Sequence, residues 1–175
     1  MVTRTIRAGL VCLASFVTIA TLPVTAAVAH AQTIAQEIDR DKTEIRQYRL
    51  TMPKIRQMAA ATLAFAKEVE GNPALQQKLK SDTNPEPRTL VDLVNRIDKE
   101  PRLAAAVKGA GLSSREYAMV MLCYYPAMMA YSAKKAGAIK EVPKDILADN
   151  VALIEANEAE LMKLNQELEA HDVNK

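Results

Sequence analysis

Histidine and cysteine each occur twice in the 175 residues, glycine five times and tryptophan not at all. One member of each scarce pair, His30 and Cys12, falls in an N-terminal stretch with the features of an export signal. Cleavage after residue 31 leaves His171, near the C-terminus, and Cys123 as the sole representatives of their types. A single histidine excludes histidine-rich zinc sites and paired Glu-x-x-His di-iron sites within one chain. A Ser-His-Asp triad would hang on a residue in the tail. A lone cysteine excludes an internal disulfide, even in an oxidising compartment. Of the four remaining glycines only Gly109 and Gly111 lie close together, so no glycine-rich phosphate loop exists. Charge of one sign is missing as well. Without Arg4 and Arg7 the basic residues fall from 23 to 21 against 21 acidic ones, and this neutral, interleaved surface gives no footprint for nucleic acid.

The export signal is built from Arg4 and Arg7, the apolar run Ala8–Ala20, Pro23, and a small-residue stretch ending Ala29-His30-Ala31. Pro23 and those small residues favour cleavage over retention as an anchor, so no stable membrane span is expected afterwards. Cys12, inside the apolar run with Gly9-Leu10-Val11 before it, lacks the surroundings of a lipid-modified cysteine. The expectation is a signal peptide over 1–31, one domain over 32–175, and a periplasmic or secreted location.

What remains has helical spacing throughout, and no segment alternates as a strand would. Ile34, Ile38, Ile45 and Tyr48 share one stripe, and Pro53 restarts a helix whose apolar positions include Ile55, Met58, Ala59, Thr62, Ala66 and Val69. Asn72-Pro73 starts a short helix, and "SDTNPEPR" (81–88) is a loop. Thr89-x-x-Asp92 and Ser113-x-x-Glu116 are capping boxes. Pro101 opens another short helix, Gly137 closes the long apolar one, and a last helix runs from Pro143 or Asn150 to Ala170. This predicts an all-α, single-domain helical bundle of about five to seven helices, some short, around a buried central helix 114–136.

That central segment contains "AMVMLCYYPAMMAY" (118–131), and its sulfurs raise the question of a soft-metal site. At about 100° per residue, Met121 and Met128 fall on the opposite side of the helix from Met119 and Cys123. At most Met119 and Cys123 offer an i,i+4 pair, so methionine as adaptable core filler is the expected use, with no metal and no cofactor. Pro126 withdraws the hydrogen-bond donor of the Leu122 carbonyl, which predicts a kink.

Tyr117, Tyr124 and Tyr131 recur every seven residues on the same side as Met121 and Met128. Asn150, Asn157 and Asn165 fall within the apolar stripe of the last helix, marked by Ile154, Leu161, Leu164 and Leu168. Each series covers about 21–23 Å of helix, and a loop of only about a dozen residues joins the two helices, which predicts antiparallel neighbours with Tyr131 near Asn150, Tyr124 near Asn157 and Tyr117 near Asn165. The ladder either sets register or lines a site for an elongated ligand, with these eight residues as its candidates. Glu158, at the edge of the stripe, is the carboxylate to check for a raised pKa, against the expectation of a solvated rim position.

An exported helical chain rich in Ala, Met, Glu and Lys is similar in general character to small periplasmic chaperone-like and stress proteins. The Leu-Thr-x-x-Gln motif of one such group is absent, and "LSSRE" (112–116) serves as a helix cap. No nucleophile–base pair or metal cluster is legible, which leans against an enzyme and leaves the catalytic assignment empty. The expected function is a non-catalytic exported bundle acting through protein contacts as scaffold, adaptor or chaperone-like factor. The alternative is a binding module for a small apolar or amphipathic ligand between helices 114–136 and 150–170.

Overall fold

The computed structural model describes residues 24–81 and 89–171, with side chains from Gln36 onward. The basic start and apolar run of the export signal, and loop residues 82–88, lie outside the described residues. Eight helices and no strand are described: α1 (Val24–Gln47), α2 (Met52–Glu70), α3 (Pro73–Lys80), α4 (Leu90–Lys99), α5 (Pro101–Gly109), α6 (Ser114–Lys135), α7 (Ala148–Ala156) and α8 (Glu158–Ala170). The chain is all-α, with more helices than the five to seven expected. One reason is that the C-terminal helix divides at Asn157, whose φ of −122° and ψ of 22° leave the helical region.

Local chemistry sets the boundaries. Asn72 accepts the Leu75 N–H ahead of Pro73 in the first turn of α3. Reciprocal capping boxes join Thr89 with Asp92 at α4 and Ser113 with Glu116 at α6. At the end of α5, Leu112 N–H reaches back to the Val107 carbonyl and Gly111 N–H to that of Lys108, with Gly111 at φ 80°. Gly137, at φ 72°, ends α6 in the same way. One cap comes from far away in sequence: the buried Asp41 of α1 accepts the Leu90 N–H at the start of α4 (2.6 Å).

α6 is the central rod, touching α1, α2, α4, α5 and α7. Ala118 and Ala127 on it are fully buried, and with no larger side chain they let neighbours approach closely around Val120 and Tyr124. Ile55, Met58 and Ala61 of α2, Val107 of α5, Ile154 of α7 and Leu161 of α8 complete the interior. The expectation that α6 is buried on every side needs correction. Tyr125 is 43% exposed, Met129 73%, and Pro126 is exposed too. The helix runs without interruption through Pro126, from Ser114 to Lys135. One face of α6 therefore looks outward because α8 packs against α2 and α7 instead of closing over it. No described helix is long and apolar enough to cross a membrane.

Candidate functional site: a groove between α6 and α8

The antiparallel pairing of α6 with the C-terminal helices is present, but the predicted rungs are displaced. Tyr124 donates from its hydroxyl to Asn165 Oδ1 (3.0 Å), not to Asn157. Tyr131 hydrogen-bonds Glu158, not Asn150. Both partners lie eight residues farther along, about 12 Å of helix, so the ladder keeps its sense and slips by roughly two turns. The same slip would place the partner of Tyr117 beyond the end of α8 at Ala170, and Tyr117 turns to Thr62 of α2 instead (2.9 Å). Thr62 commits its proton to the Met58 carbonyl (2.9 Å), so Tyr117 is the donor.

The two displaced asparagines serve the backbone. Asn150, 3% exposed, accepts the Leu50 N–H through Oδ1 and donates through Nδ2 to the Tyr48 carbonyl, each at 2.9 Å. It thus supplies partners for the non-helical link between α1 and α2. Asn157 donates back to the Leu153 carbonyl (2.8 Å) where α7 ends. Neither lines the groove that runs between α6 and α8.

Between α6 and α8 runs an open groove in two lobes that share Met128. The larger lobe, about 490 Å³, is walled by Phe65, Ala66 and Val69 of α2, Tyr124 and Tyr125 of α6, and Asn165 and Leu168 of α8. Its far end is marked by His171, whose Nδ1 lies 3.0 Å from a Glu70 carboxylate oxygen. The smaller lobe, about 370 Å³, is walled by Tyr131, Ser132 and Lys135 of α6 with Ile154, Glu158, Leu161 and Met162 of α7 and α8. Of the eight candidate residues, Tyr124, Met128, Tyr131 and Asn165 meet here. Tyr117 and Met121 line a separate cavity of about 600 Å³ toward α3, α4 and α5, whose mouth carries Lys78, Lys99 and Glu100.

The electrostatics of the groove place Glu158 at its solvated rim. The Glu158 carboxyl is held below the usual carboxylate range, because the Lys135 ammonium and then the Tyr131 hydroxyl hydrogen-bond its charged form. The Lys135 Nζ also stands 5.8 Å from the Tyr131 ring centroid. Glu158 is therefore an ion-paired gatepost and not a proton-carrying acid. Burial raises the Tyr124 phenol above its ordinary value, which keeps it a neutral donor. Cys123 faces the other way: its thiol contacts the Ile45 carbonyl of α1 (3.5 Å), and burial pushes its pKa up to about 11. Among the described residues no three His, Cys, Asp or Glu side chains converge in a way that could hold a metal ion.

The lining residues that the sequence pattern missed include Phe65, His171 and Lys135, whereas the pattern places Leu168 and Glu158 on and beside the apolar stripe of the last helix. Phe65 was within reach, since it follows Thr62 by three positions on the stripe that already held Thr62, Ala66 and Val69. Lys135 was not, because nothing local links it to Glu158. Comparison with protein-family models, with curated proteins and with solved structures finds no match to the chain.

Proposed function

We propose that this chain is an exported, non-catalytic helical-bundle protein that works through protein contacts, as a scaffold, adaptor or chaperone-like factor. Its docking surface is the α6–α8 groove, and its occupant is the apolar stripe of an amphipathic helix on a partner protein. The observation that carries this reading is the exposure of the groove's lips. Met129 and Tyr125 stand open along one edge and Met162, 51% exposed, along the other. A small-molecule site buries most of its ligand, whereas an occupant here keeps one side in water, as a docked helix does. From Tyr124 to Lys135 the α6 wall extends about 16 Å, or three helical turns, which accommodates anchors at i, i+4 and i+7. Methionines on floor and lips suit a surface that adapts to varied apolar side chains. The N-terminal Arg4, Arg7, apolar run and Ala29-His30-Ala31 support export.

The test is fluorescence anisotropy with a labelled 14-residue amphipathic helical peptide carrying Leu at its apolar positions, titrated with the full chain. Met129→Glu with Met162→Glu places charge on both lips at exposed positions. The expected result is a loss of affinity of tenfold or more, with the thermal midpoint unchanged. Equal binding by the double variant refutes the reading. The second reading, a small amphipathic ligand, draws on the Tyr124–Asn165 bond as a polar contact inside an apolar lobe. A lipid adduct in native mass spectrometry, lost in Tyr124→Phe with Asn165→Leu, would establish that reading instead.

A further inference from the structure

We infer that Met129 and Met162 are a reversible oxidation site, and that turning their thioethers into sulfoxides closes the groove to its apolar partner. The inference rests on the docking reading given above. The described methionines span the range of exposure, with Met121 and Met128 partly buried between the two extremes. Met58 is fully buried, Met119 is 2% exposed and Met52 9%, whereas Met162 is 51% exposed and Met129 73%. Met162 is on the α8 wall of the groove, and helical spacing puts Met129 at the outer edge of the α6 wall. Met162 lines the smaller lobe directly. Tyr125, Met129 and Ser132 follow one another at i, i+4 and i+7 on a single stripe of α6. Tyr125 lines the larger lobe and Ser132 the smaller, so Met129 stands between them at the edge.

The chemistry requires a two-electron oxidant, for which hydrogen peroxide serves. The thioether sulfur attacks one peroxide oxygen, an S–O bond forms and the O–O bond breaks. The sulfur is oxidised by two electrons, and the departing hydroxide takes the proton shed by the transferred oxygen and leaves as water. A flexible apolar side chain becomes a polar acceptor, and methionine sulfoxide reductases reverse the change. A sulfoxide on each lip must shed hydration when an apolar helix docks, and the apolar stripe of that helix offers no donor to replace it. Cys123, buried beneath α1, does not compete for the oxidant.

The experiment treats the full chain with hydrogen peroxide, follows sulfoxide at each methionine by peptide mapping, and measures affinity for the same labelled amphipathic peptide before and after. The expected result is oxidation of Met129 and Met162 at least tenfold faster than of Met58 and Met119, and a tenfold or greater loss of peptide affinity. Reductase treatment restores that affinity. In Met129→Leu with Met162→Leu, the ratio of affinities before and after peroxide falls to about one. Equal oxidation rates at exposed and buried methionines overturn the inference. Complete oxidation of both sites with affinity unchanged overturns the switch and leaves the docking reading standing. Absence of peptide binding before any oxidant is added overturns the docking reading, and the switch falls with it.

Discussion

Replacing Asn150 with alanine tests the assignment of this residue as a staple of the fold and not a rung of the ligand ladder. Its amide serves two backbone groups about a hundred positions away: the Leu50 N–H, which is buried, and the Tyr48 carbonyl, which is half-buried. An unsatisfied buried polar group costs about 1–3 kcal/mol. Leu50 N–H bears most of that cost, and the Tyr48 carbonyl recovers part of its share from water. The expected loss is therefore about 2–4 kcal/mol, toward the upper end of single-substitution effects. In a urea titration with a slope of about 2 kcal/mol/M, the midpoint falls by about 1–2 M. In a thermal scan it falls by about 6–12 °C. Asn150→Asp separates the two bonds, since an ionised carboxylate still accepts from Leu50 N–H but faces the Tyr48 carbonyl with like charge. Burial beside that carbonyl raises the new acid's folded pKa above its unfolded value of about 3.9, so its penalty shrinks on acidification. An alanine variant within about 0.5 kcal/mol of the wild type refutes the staple.

Three further outcomes follow from named contacts. Because burial holds the Cys123 thiol near 11 under α1, a thiol reagent at pH 8 leaves it unlabelled in the folded chain and labels it fully in denaturant; peptide mapping checks this, and rapid labelling of the native protein contradicts it. The Lys54 ammonium (2.6 Å), and then the Ser113 N–H, hold the Glu116 carboxyl below the ordinary glutamate value of about 4.5. Its stabilising share is thus present above about pH 4.5 and is lost as pH falls through the lower folded pKa. Glu116→Gln flattens that acid limb and costs no more than about 1 kcal/mol at pH 7 from this half-exposed pair, as read by pH-dependent urea unfolding; an unchanged limb contradicts it. Gly111→Ala must hold a positive φ and place its Cβ 3.0 Å from the Gln57 amide nitrogen, whereas Gly137→Ala has a positive φ alone with open space around it. Both lose about 1 kcal/mol for the backbone, and Gly111→Ala loses more in thermal scans; the reverse order refutes the close approach.

What was legible in the sequence was local. Asn72-Pro73, Thr89-x-x-Asp92 and Ser113-x-x-Glu116 act within a single turn, and the structure uses all three as helix starts. The short connection after α6 pointed to its antiparallel sense against the C-terminal helices, and the seven-residue spacing of the tyrosines to the face that meets them. Neither could give their register, for two reasons of tertiary origin. The link between α1 and α2 needs a donor and an acceptor and takes Asn150 for that purpose. The backbone leaves the helical region at Asn157, so α8 starts afresh and leans on α2. Apolarity on every side of α6 pointed to burial on every side, yet an apolar face that faces a groove has the same composition as one that faces a core. Glu158 shows the same limit: its environment is set by Lys135, 23 positions earlier and on another helix.

The displaced ladder also explains why the groove stays open. Helices packed through apolar ridges approach to about 8–10 Å between axes. Closing α8 onto α6 to that distance would bury Met128, Met129 and Met162 at a gain of up to about 1.5–3 kcal/mol for each. Two polar connections span the gap instead, Tyr124 to Asn165 on the floor and Lys135 to Glu158 at one end. At the other end His171 meets Glu70, which ties the tip of α8 to α2 and away from α6. Small side chains on α6, Ala127 and Ala130, are spent on its buried side, where α7 and the core come close. Its large and adaptable ones, Tyr125 and Met129, are left on the side that α8 does not reach. Polar contacts and an off-axis anchor thus stand where close apolar packing between the two helices would otherwise be, and the proposed partner would cover the area left exposed.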